Sequence, residues 1–215
     1  MPAHELVVVY ADEALLVLDK PAGLLSVPGR GEDKQDCLSA RVQARYADAL
    51  IVHRLDMATS GLMILARGTA VQRSLNDIFA NRQVTKRYIA VVDGHLDQPL
   101  DSWGVIDLPI LVDWPNRPLR KIDREQGKPS MTRWRWLSYN RENNTTRIEL
   151  EPITGRSHQL RVHLLAVGHP ILGDALYGDI RVQASSSRLL LHAQSLELTH
   201  PITSEPLHFF SAAAF

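Results

Sequence analysis

The polar segment 53–61, His-Arg-Leu-Asp-Met-Ala-Thr-Ser-Gly, holds a single carboxylate at Asp56. It lies between an apolar run at 49–52 and a second apolar run at 62–66, and a polar loop between two strands is where a rigid scaffold commonly presents chemistry. The hydroxyls and amides of residues 59–61 have the chemistry of a tight turn and could hold the carboxylate in place. A carboxylate held in this way can act as a nucleophile or as a base, although an ordinary surface turn has the same composition.

Two other segments could supply partners for a reacting carboxylate. Lys86-Arg87-Tyr88 opens a predicted strand, and Tyr88 offers an aromatic face for stacking and a hydroxyl that can move a proton. Arg161 lies in a predicted helix, and its planar, permanently charged fork suits a carboxylate. Taken alone, Tyr88 is equally well explained as a core tyrosine at a strand edge, and Arg161 as an arginine on the surface of a helix.

The periodicity of apolar residues predicts more strands than helices. Short β-rich or alternating runs predict strands at 6–10, 15–19, 62–66, 85–93, 132–138, 146–151, 189–198 and 207–210, with residues 24–36 as a surface loop. Helical spacing predicts helices at 37–46, 69–82 and 157–167, the last with Ser157 as N-cap and Gly168 just past its end. Adjacent β signals favour an α+β fold with a mixed, mostly antiparallel central sheet and flanking helices over strict βαβ alternation.

The composition is typical of a globular protein, and the chain has no net positive charge that would favour binding of a polyanion. The chain has 215 residues, and its 24 basic residues balance 24 acidic ones; a single domain over residues 1–215 is expected at this length. A neutral chain is not an obvious RNA binder, because phosphate contacts usually require a basic excess. Basic residues nevertheless cluster at 82–87, 117–124 and 156–161, where they are either phosphate contacts or solvated surface patches.

The sequence also limits the expected metal sites and location. The single Cys37 excludes an intramolecular disulfide and a cysteine-based zinc site, and it fits a reducing compartment. His192, His200 and His208 lack the spacing of metal ligands, so no metal is expected. The N-terminus lacks a basic stretch followed by an apolar run, and no run approaches the roughly 18 apolar residues of a membrane span; a cytoplasmic location with no membrane partner is therefore expected.

Several segments, in one order along the chain, resemble a single enzyme family. His53-Arg54-Leu55-Asp56 followed by Thr59-Ser60-Gly61 resembles the signature of the RluA family of pseudouridine synthases. Further elements similar to that family are Lys20-Pro21-Ala22-Gly23, Lys86-Arg87-Tyr88, residues 154–163 and residues 169–174. Residues 25–30 and 107–118 resemble its compact, dual-specificity branch. The likeness extends from about Lys20 to about Leu191. So many elements in the same order along the chain are poorly explained by chance.

The resemblance implies an enzyme that isomerises uridine to pseudouridine in structured RNA, on that family's catalytic fold with an active-site cleft. In the family the Asp of the signature is the essential catalytic residue, and it maps to Asp56. The family's active-site aromatic residue maps to Tyr88, and the Arg that pairs with the catalytic Asp maps to Arg161. Because catalytic-domain signals begin almost at Met1, no N-terminal RNA-binding domain of the S4 type is expected.

The dual-specificity branch implies two kinds of RNA substrate. One is a uridine in 23S ribosomal RNA and the other a uridine in the anticodon stem-loop of certain tRNAs. No obligate protein partner is evident from the sequence.

The implied reaction explains why one carboxylate would suffice. It breaks the N1–C1′ bond, turns the uracil and joins C5 to C1′ without oxidation, so neither a metal nor another cofactor is expected. Asp56 either attacks C1′ or removes a sugar proton to give a glycal, and the sequence leaves both routes open. A glycosidase usually needs a second, protonated carboxyl group, but a uracil anion can leave without one. A nearby guanidinium, that of Arg161, would favour the ionised carboxylate in a site closed to water.

A base inside a helical stem must be extruded before it can react. Arg54 is two residues from Asp56 and long enough to fill the vacated stack, or else it contacts a phosphate. Contacts to RNA, or a role in shaping the site, are expected for His53, Thr59, Arg156, His158 and Gln159.

Two other functions compete with the isomerase. The first is a catalytically idle RNA-binding module of the same fold, and the joint presence of Asp56, Tyr88 and Arg161 argues against it. The second is a hydrolase that cleaves the glycosidic bonds of nucleosides. The lack of a second carboxylate in the motif and the three basic clusters argue against the hydrolase.

Overall fold

The computed structural model describes residues 6–97 and 102–215, and strands dominate it. The strands, in chain order, are β1 (Val7–Ala11), β2 (Leu15–Lys20), β3 (Ala49–Ile51), β4 (Ser60–Arg67), β5 (Thr85–Asp93), β6 (Gly104–Asp107), β7 (Ile110–Val112), β8 (Arg120–Ile122), β9 (Met131–Asn140), β10 (Thr145–Pro152), β11 (Leu191–Thr199) and β12 (Pro206–Phe210). The helices are α1 (Leu38–Gln43), α2 (Thr69–Ala80), α3 (Gln159–Ala166) and α4 (Ile180–Ala184), with a short 3-10 helix at Glu32–Lys34. Within the two described ranges, no helix has the length and apolar character needed to cross a membrane.

The described chain forms two compact units. The residues up to Lys86 together with His192–Ala214 form the first unit, and Arg87–Leu191 with Phe215 form the second. The sequence-based expectation that the whole chain makes one catalytic domain, without an S4-type domain, stays a prediction.

The first unit holds strands in the order β1-β2-β4-β11, with β3 also paired to β4 and β12 to β11. The predicted hairpin of β1 and β2 is confirmed, and the Asp12 carboxylate closes its turn by accepting the N–H groups of Ala14 and Leu15 at 2.7 and 2.8 Å. All pairings in this unit are antiparallel except that of β4 with β11, which places Ser60 opposite His192. This parallel pairing fixes the first residues of β4, where the polar loop 53–59 ends.

The core of the first unit joins these strands to α2. Its buried apolar side chains are Leu15, Val17, Leu62, Ile64, Ala66, Leu75, Val84, Leu196, Leu198 and Phe209. The strand β4 is buried continuously from Ser60 to Ala66, which is typical of a strand covered on both faces. The amphipathic helix predicted at 69–82 is confirmed as α2, whose apolar side packs on this cluster as the helical spacing predicts. A buried strand therefore supports the loop that carries Asp56.

The second unit holds strands in the order β5-β10-β9-β6, all antiparallel, and a separate hairpin of β7 and β8. The predicted hairpin of β9 and β10 is confirmed, with Asn144 in the turn at a φ of 49°. The helix α3 follows β10 after a six-residue connection, 153–158. This unit thus carries Tyr88 on β5 and Arg161 on α3.

The predicted fold class is confirmed: the chain is α+β, with mostly antiparallel strand pairs and few helices. The predicted strands and the three predicted helices all exist, with shifted ends. The sequence does not predict β6, β7, β8 or α4, because three to five residues are too few to show a period. The predicted surface loop 24–36 is wrong in part, since Leu24 and Ser26 are buried. The active-site cleft stays a prediction.

Candidate active site

The loop between β3 and β4 holds Asp56 in a partly enclosed position. Asp56 is half-buried between the buried Leu55 and the exposed Met57, while Arg54 is exposed. The backbone N–H of Thr59 donates to the Asp56 carbonyl oxygen at 3.1 Å and closes a tight turn. The loop therefore presents Arg54 to solvent and keeps the Asp56 carboxylate in a more restricted setting.

The peptide after this carboxylate is pinned by the segment that follows β2. Lys20 is fully buried, and its Nζ donates to the carbonyl oxygens of Pro21, Leu24 and Met57 at 2.8, 2.8 and 3.1 Å. The backbone N–H of Gly23 donates to the same Met57 oxygen at 2.8 Å, from a left-handed φ of 85° that glycine adopts without strain. A buried ammonium group destabilises the fold unless its N–H groups are hydrogen-bonded. Here three carbonyl oxygens accept hydrogen bonds from it.

The peptide before the carboxylate is pinned by one serine. The Ser26 hydroxyl donates to the Leu55 carbonyl oxygen at 2.7 Å and accepts the Leu55 N–H at 3.1 Å. Both Ser26 and Lys20 belong to segments whose likeness to the family is visible in the sequence, but their role as supports of the loop is not. Asp56 is therefore held by contacts to its two neighbours in the chain.

Residues 59–61, predicted as a tight turn, lead directly into β4. Ser60 and Gly61 are the first residues of that strand, and Thr59 is only 2% exposed. Gly61 has a φ of 111°, and a Cβ there would lie 2.3 Å from the Ala193 carbonyl oxygen, so only glycine permits this approach of β11. A side chain as buried as that of Thr59 belongs to the framework, and its expected contact with RNA stays a prediction.

His192 anchors the same end of the loop. Its Nε2 lies 3.0 Å from the Ser211 carbonyl oxygen and must donate to it, so the Nδ1 of the neutral ring accepts from the Ser60 hydroxyl, at 2.8 Å. His200 lies 3.0 Å from the Asp12 carboxylate in the same unit. Across the described part of the chain, no group of three or more His, Cys, Asp or Glu side chains is arranged to hold a metal ion. These contacts give two of the recurring histidines structural roles.

His53 is engaged inside the first unit. Its Nε2 accepts the backbone N–H of Ile64 at 2.9 Å, and its ring stacks on Phe79 with a centroid separation of 4.6 Å. Desolvation, together with the positive charge of Lys86, lowers the pKa of His53 to about 3. The ring is therefore neutral at physiological pH and ties the loop to β4, while its expected contact with RNA stays a prediction.

In the second unit, Tyr88 occupies β5 opposite Leu150 of β10 and is half-buried. Its neighbour Arg87 binds the Glu151 carboxylate at 2.7 Å, and Arg133 binds the same carboxylate at 2.9 Å. Successive side chains of a strand point to opposite faces, so Tyr88 lies on the face away from this ion-pair network. Arg87 thus shares the Glu151 carboxylate with Arg133, so one carboxylate faces two guanidinium groups in this network.

Arg161 is buried and not on a helix surface. Only 4% of its side chain is exposed, and its Nε and Nη2 donate to the two Asp174 oxygens at 2.8 and 2.6 Å. Asp174 is itself 1% exposed and accepts the backbone N–H groups of Leu176 and Tyr177. This bidentate pair fixes the orientation of the guanidinium. The sequence does not reveal Asp174 as its partner, although the residue ends a segment that resembles the family.

The start of α3 differs from its prediction. The helix begins at Gln159, and its N-cap is His158 in a left-handed conformation with φ 58°, so the expected N-cap Ser157 is wrong. Gln159 is 3% exposed; its amide donates to the Met131 carbonyl oxygen at 2.9 Å and its Oε1 accepts the Arg156 N–H at 3.0 Å. Gln159 therefore supports the framework, whereas Arg156 is exposed. The expected contacts of both residues with RNA stay predictions.

Comparison with known proteins identifies the family to which the chain is similar. The family model described as RNA pseudouridylate synthase matches residues 14–166, more than half of the chain. The chain is 48% identical over 210 residues to a protein of Escherichia coli named dual-specificity RNA pseudouridine synthase RluA, covering 98% of this chain and 94% of that protein. It is 49% identical to the protein of that name from Yersinia pestis, covering 98% and 100% of the two chains.

A solved structure agrees in fold. Human RNA pseudouridylate synthase domain containing 1 superposes with a TM-score of 0.80 at 29% identity, covering 99% of this chain and 86% of that one. The matched segment 14–166 includes Asp56, Tyr88 and Arg161. The chain therefore belongs to the RNA pseudouridylate synthase family.

Proposed function

We propose that this enzyme converts particular uridines to pseudouridine in two classes of RNA, ribosomal RNA and the anticodon stem-loop of tRNA, with Asp56 as the reacting carboxylate. The observation that carries the assignment of Asp56 is the support of its loop. Lys20 and Ser26 pin the peptides on either side of a half-buried carboxylate, which is the preorganisation a reacting group needs. Both RNA classes are found in the cytoplasm, where the proposal locates the enzyme.

In the proposed reaction, a single carboxylate acts on the ribose of the target uridine. The N1–C1′ bond breaks, the uracil turns, C5 bonds to C1′, and the proton lost from C5 is balanced by one gained at N1. Asp56 starts this sequence either by bonding to C1′ or by removing the C2′ proton. Deuterium at C2′ separates the two routes, because only proton removal gives a primary isotope effect on the first step.

Tyr88 and Arg161 are proposed as further catalytic residues. Tyr88 would stack on the uracil, and its hydroxyl would help remove the C5 proton. Arg161 would keep Asp56 ionised through its permanent charge. The bidentate hold of Asp174 on the guanidinium supports a fixed orientation for that charge.

Arg54 is proposed to fill the stack that the flipped uridine leaves. Its side chain is exposed two residues before Asp56. We expect Arg54→Ala to slow modification of a folded stem-loop about tenfold, because base extrusion costs a few kcal/mol that the inserted side chain offsets. The same variant should act normally on an unstructured oligonucleotide, where no base has to be extruded. Equal rates for variant and wild type on the folded stem-loop would remove this role.

The hairpin of β7 and β8 is proposed as an RNA-binding arm. Its tip is closed by a hydrogen bond from the Asp113 N–H to the Leu119 carbonyl oxygen at 3.1 Å, and the Arg117 guanidinium lies 4.1 Å from the Trp114 ring centre. Trp114 is 64% exposed, Arg117 lies against its ring, and the rest of the basic cluster at 117–124 follows in the chain. Proteins commonly bind single-stranded RNA by stacking unpaired bases on exposed aromatic rings and by contacting phosphates with neighbouring arginines.

We expect Trp114→Ala to lower kcat/KM for a stem-loop about tenfold, with a higher KM, because stacking on one base contributes about 1–3 kcal/mol. Steady-state kinetics on one labelled RNA measure both constants. Ile202→Ala is the matched control, since Ile202 is equally exposed and outside the arm. A KM within twofold of the wild-type value would exclude Trp114 from RNA binding.

Mapping pseudouridine in RNA transcripts tests the proposed function. Ribosomal RNA and tRNA transcripts are incubated with the enzyme, modified with a carbodiimide that marks pseudouridine, and read by primer extension. The proposal predicts a discrete new stop in each RNA class. A stop in only one class would refute dual specificity. Release of free uracil would indicate the hydrolase, and binding without change would indicate the idle module.

A further inference from the structure

Tyr177 connects three parts of the second unit through one side chain. It lies between Asp174 and α4. Its hydroxyl accepts the backbone N–H of Arg120 at 2.9 Å and lies 2.7 Å from His158 Nδ1. Its ring centre is 5.1 Å from the guanidinium carbon of Arg161. It therefore contacts the hairpin arm, the residue that begins α3, and the proposed catalytic arginine.

The direction of one of these hydrogen bonds follows from its partner. The Arg120 N–H can only donate, so the Tyr177 oxygen accepts it, and the one phenol proton stays available for a hydrogen bond to His158 Nδ1. Burial raises the pKa of Tyr177, which keeps that proton on the hydroxyl.

Arg120, His158 and Arg161, the three residues that Tyr177 contacts, all lie in or next to regular secondary structure. Arg120 is the first residue of β8, and His158 has the left-handed φ of 58° that few residues other than glycine adopt. Arg161 is one turn further along α3, where the Val162 N–H donates to the His158 carbonyl oxygen at 3.0 Å. The Tyr177 hydroxyl thus bridges the backbone of β8 to the residue that begins α3.

We propose that Tyr177 is a positioning residue that couples RNA binding by the hairpin arm to the placement of Arg161. The inference rests on the proposed function, in which the arm binds RNA and Arg161 serves the reaction. Tyr177 acts through Arg120 and His158 on one side and through the face of the Arg161 guanidinium on the other.

The test starts from Tyr177→Phe, which keeps the ring against Arg161 and removes only the hydroxyl. We expect kcat to fall about tenfold while KM stays within twofold, with the thermal midpoint nearly unchanged. Tyr139→Phe is the control, because that hydroxyl donates only to an exposed turn residue, Asn144. A wild-type kcat in Tyr177→Phe would overturn the proposal. Tyr177→Leu should lose more kcat than Tyr177→Phe, since it also removes the ring.

A double-mutant cycle distinguishes coupling between Trp114 and Tyr177 from a role of Tyr177 that is independent of the arm. If each of Trp114→Ala and Tyr177→Phe lowers kcat/KM about tenfold, independent effects would multiply to about a hundredfold. Coupling predicts a loss of about twentyfold in the double variant, because the arm can no longer act through the missing hydroxyl. Multiplicative losses would overturn the proposal.

A readout without catalysis keeps this inference distinct from the proposed function. In the Asp56→Asn protein, RNA binding should slow hydrogen exchange at the Val162 amide, and Tyr177→Phe should remove that protection. Equal protection with and without the hydroxyl would refute the coupling whatever the activity. Failure of the wild type to form pseudouridine would instead refute the proposed function, and the exchange result would still decide the role of Tyr177.

Discussion

Asp56→Asn is expected to abolish pseudouridine formation, lowering the single-turnover rate by about 10⁴-fold or more. An amide can neither bond to C1′ as a stable nucleophile nor accept a sugar proton. The substitution keeps the size of the side chain, and the loop is held by Lys20 and Ser26 through the backbone of its neighbours. The affinity for RNA should therefore stay within about twofold of the wild-type value.

Rapid-quench kinetics with enzyme in excess measure the rate, and filter binding measures the affinity. Asp56→Ala is the companion variant, because it cannot revert to Asp by deamidation. Asp77→Asn, at an exposed position of α2, is the matched control and should act normally. Near-normal turnover in Asp56→Asn would show that the carboxylate is not the reacting group.

Asp174→Asn is expected to destabilise the fold and to slow the reaction. The Arg161–Asp174 pair is almost completely buried, and breaking such a pair costs about 3–5 kcal/mol because a charge is left without its partner. The guanidinium would also lose its bidentate hold, so we expect kcat to fall about a hundredfold in the protein that remains folded.

Urea unfolding at pH 7 measures the stability, and kcat per folded molecule is measured below the transition. Asp93→Asn is the control, since Asp93 pairs with Arg181, whose side chain is 65% exposed; a pair at the surface contributes at most about 1 kcal/mol. Equal stability losses in the two variants would contradict the structural role of the buried pair. A normal kcat in Asp174→Asn would mean that a fixed Arg161 is not needed.

The framework of the fold is predictable where periodicity is long. The helix α2 shows several turns of amphipathic spacing, and β5 alternates over nine residues. The hairpin of β7 and β8 has three residues in each strand and no period to detect. The arm proposed to bind RNA is therefore the part of the second unit that the sequence least reveals.

The sequence names candidate site residues but does not show the direction in which their side chains point. Thr59 and Gln159 sit in the same motifs as Asp56 and Arg161, yet both are buried in hydrogen bonds or packing that serve the framework. Spacing along the chain cannot show whether a polar side chain turns toward the core or toward a ligand. The sequence does not reveal Asp174 and Ser26 as supports, because their partners Arg161 and Leu55 lie 13 and 29 residues away in the sequence.

The release of tritium from RNA labelled at C5 of uridine tests the central claim most directly. The C5 hydrogen is lost only when C5 has bonded to C1′, so release reports the isomerisation itself. We predict that the wild type releases one tritium for each pseudouridine formed and no free uracil, and that Asp56→Asn releases none above the rate without enzyme. Tritium release by Asp56→Asn at the wild-type rate, or free uracil in place of pseudouridine from the wild type, would contradict the account.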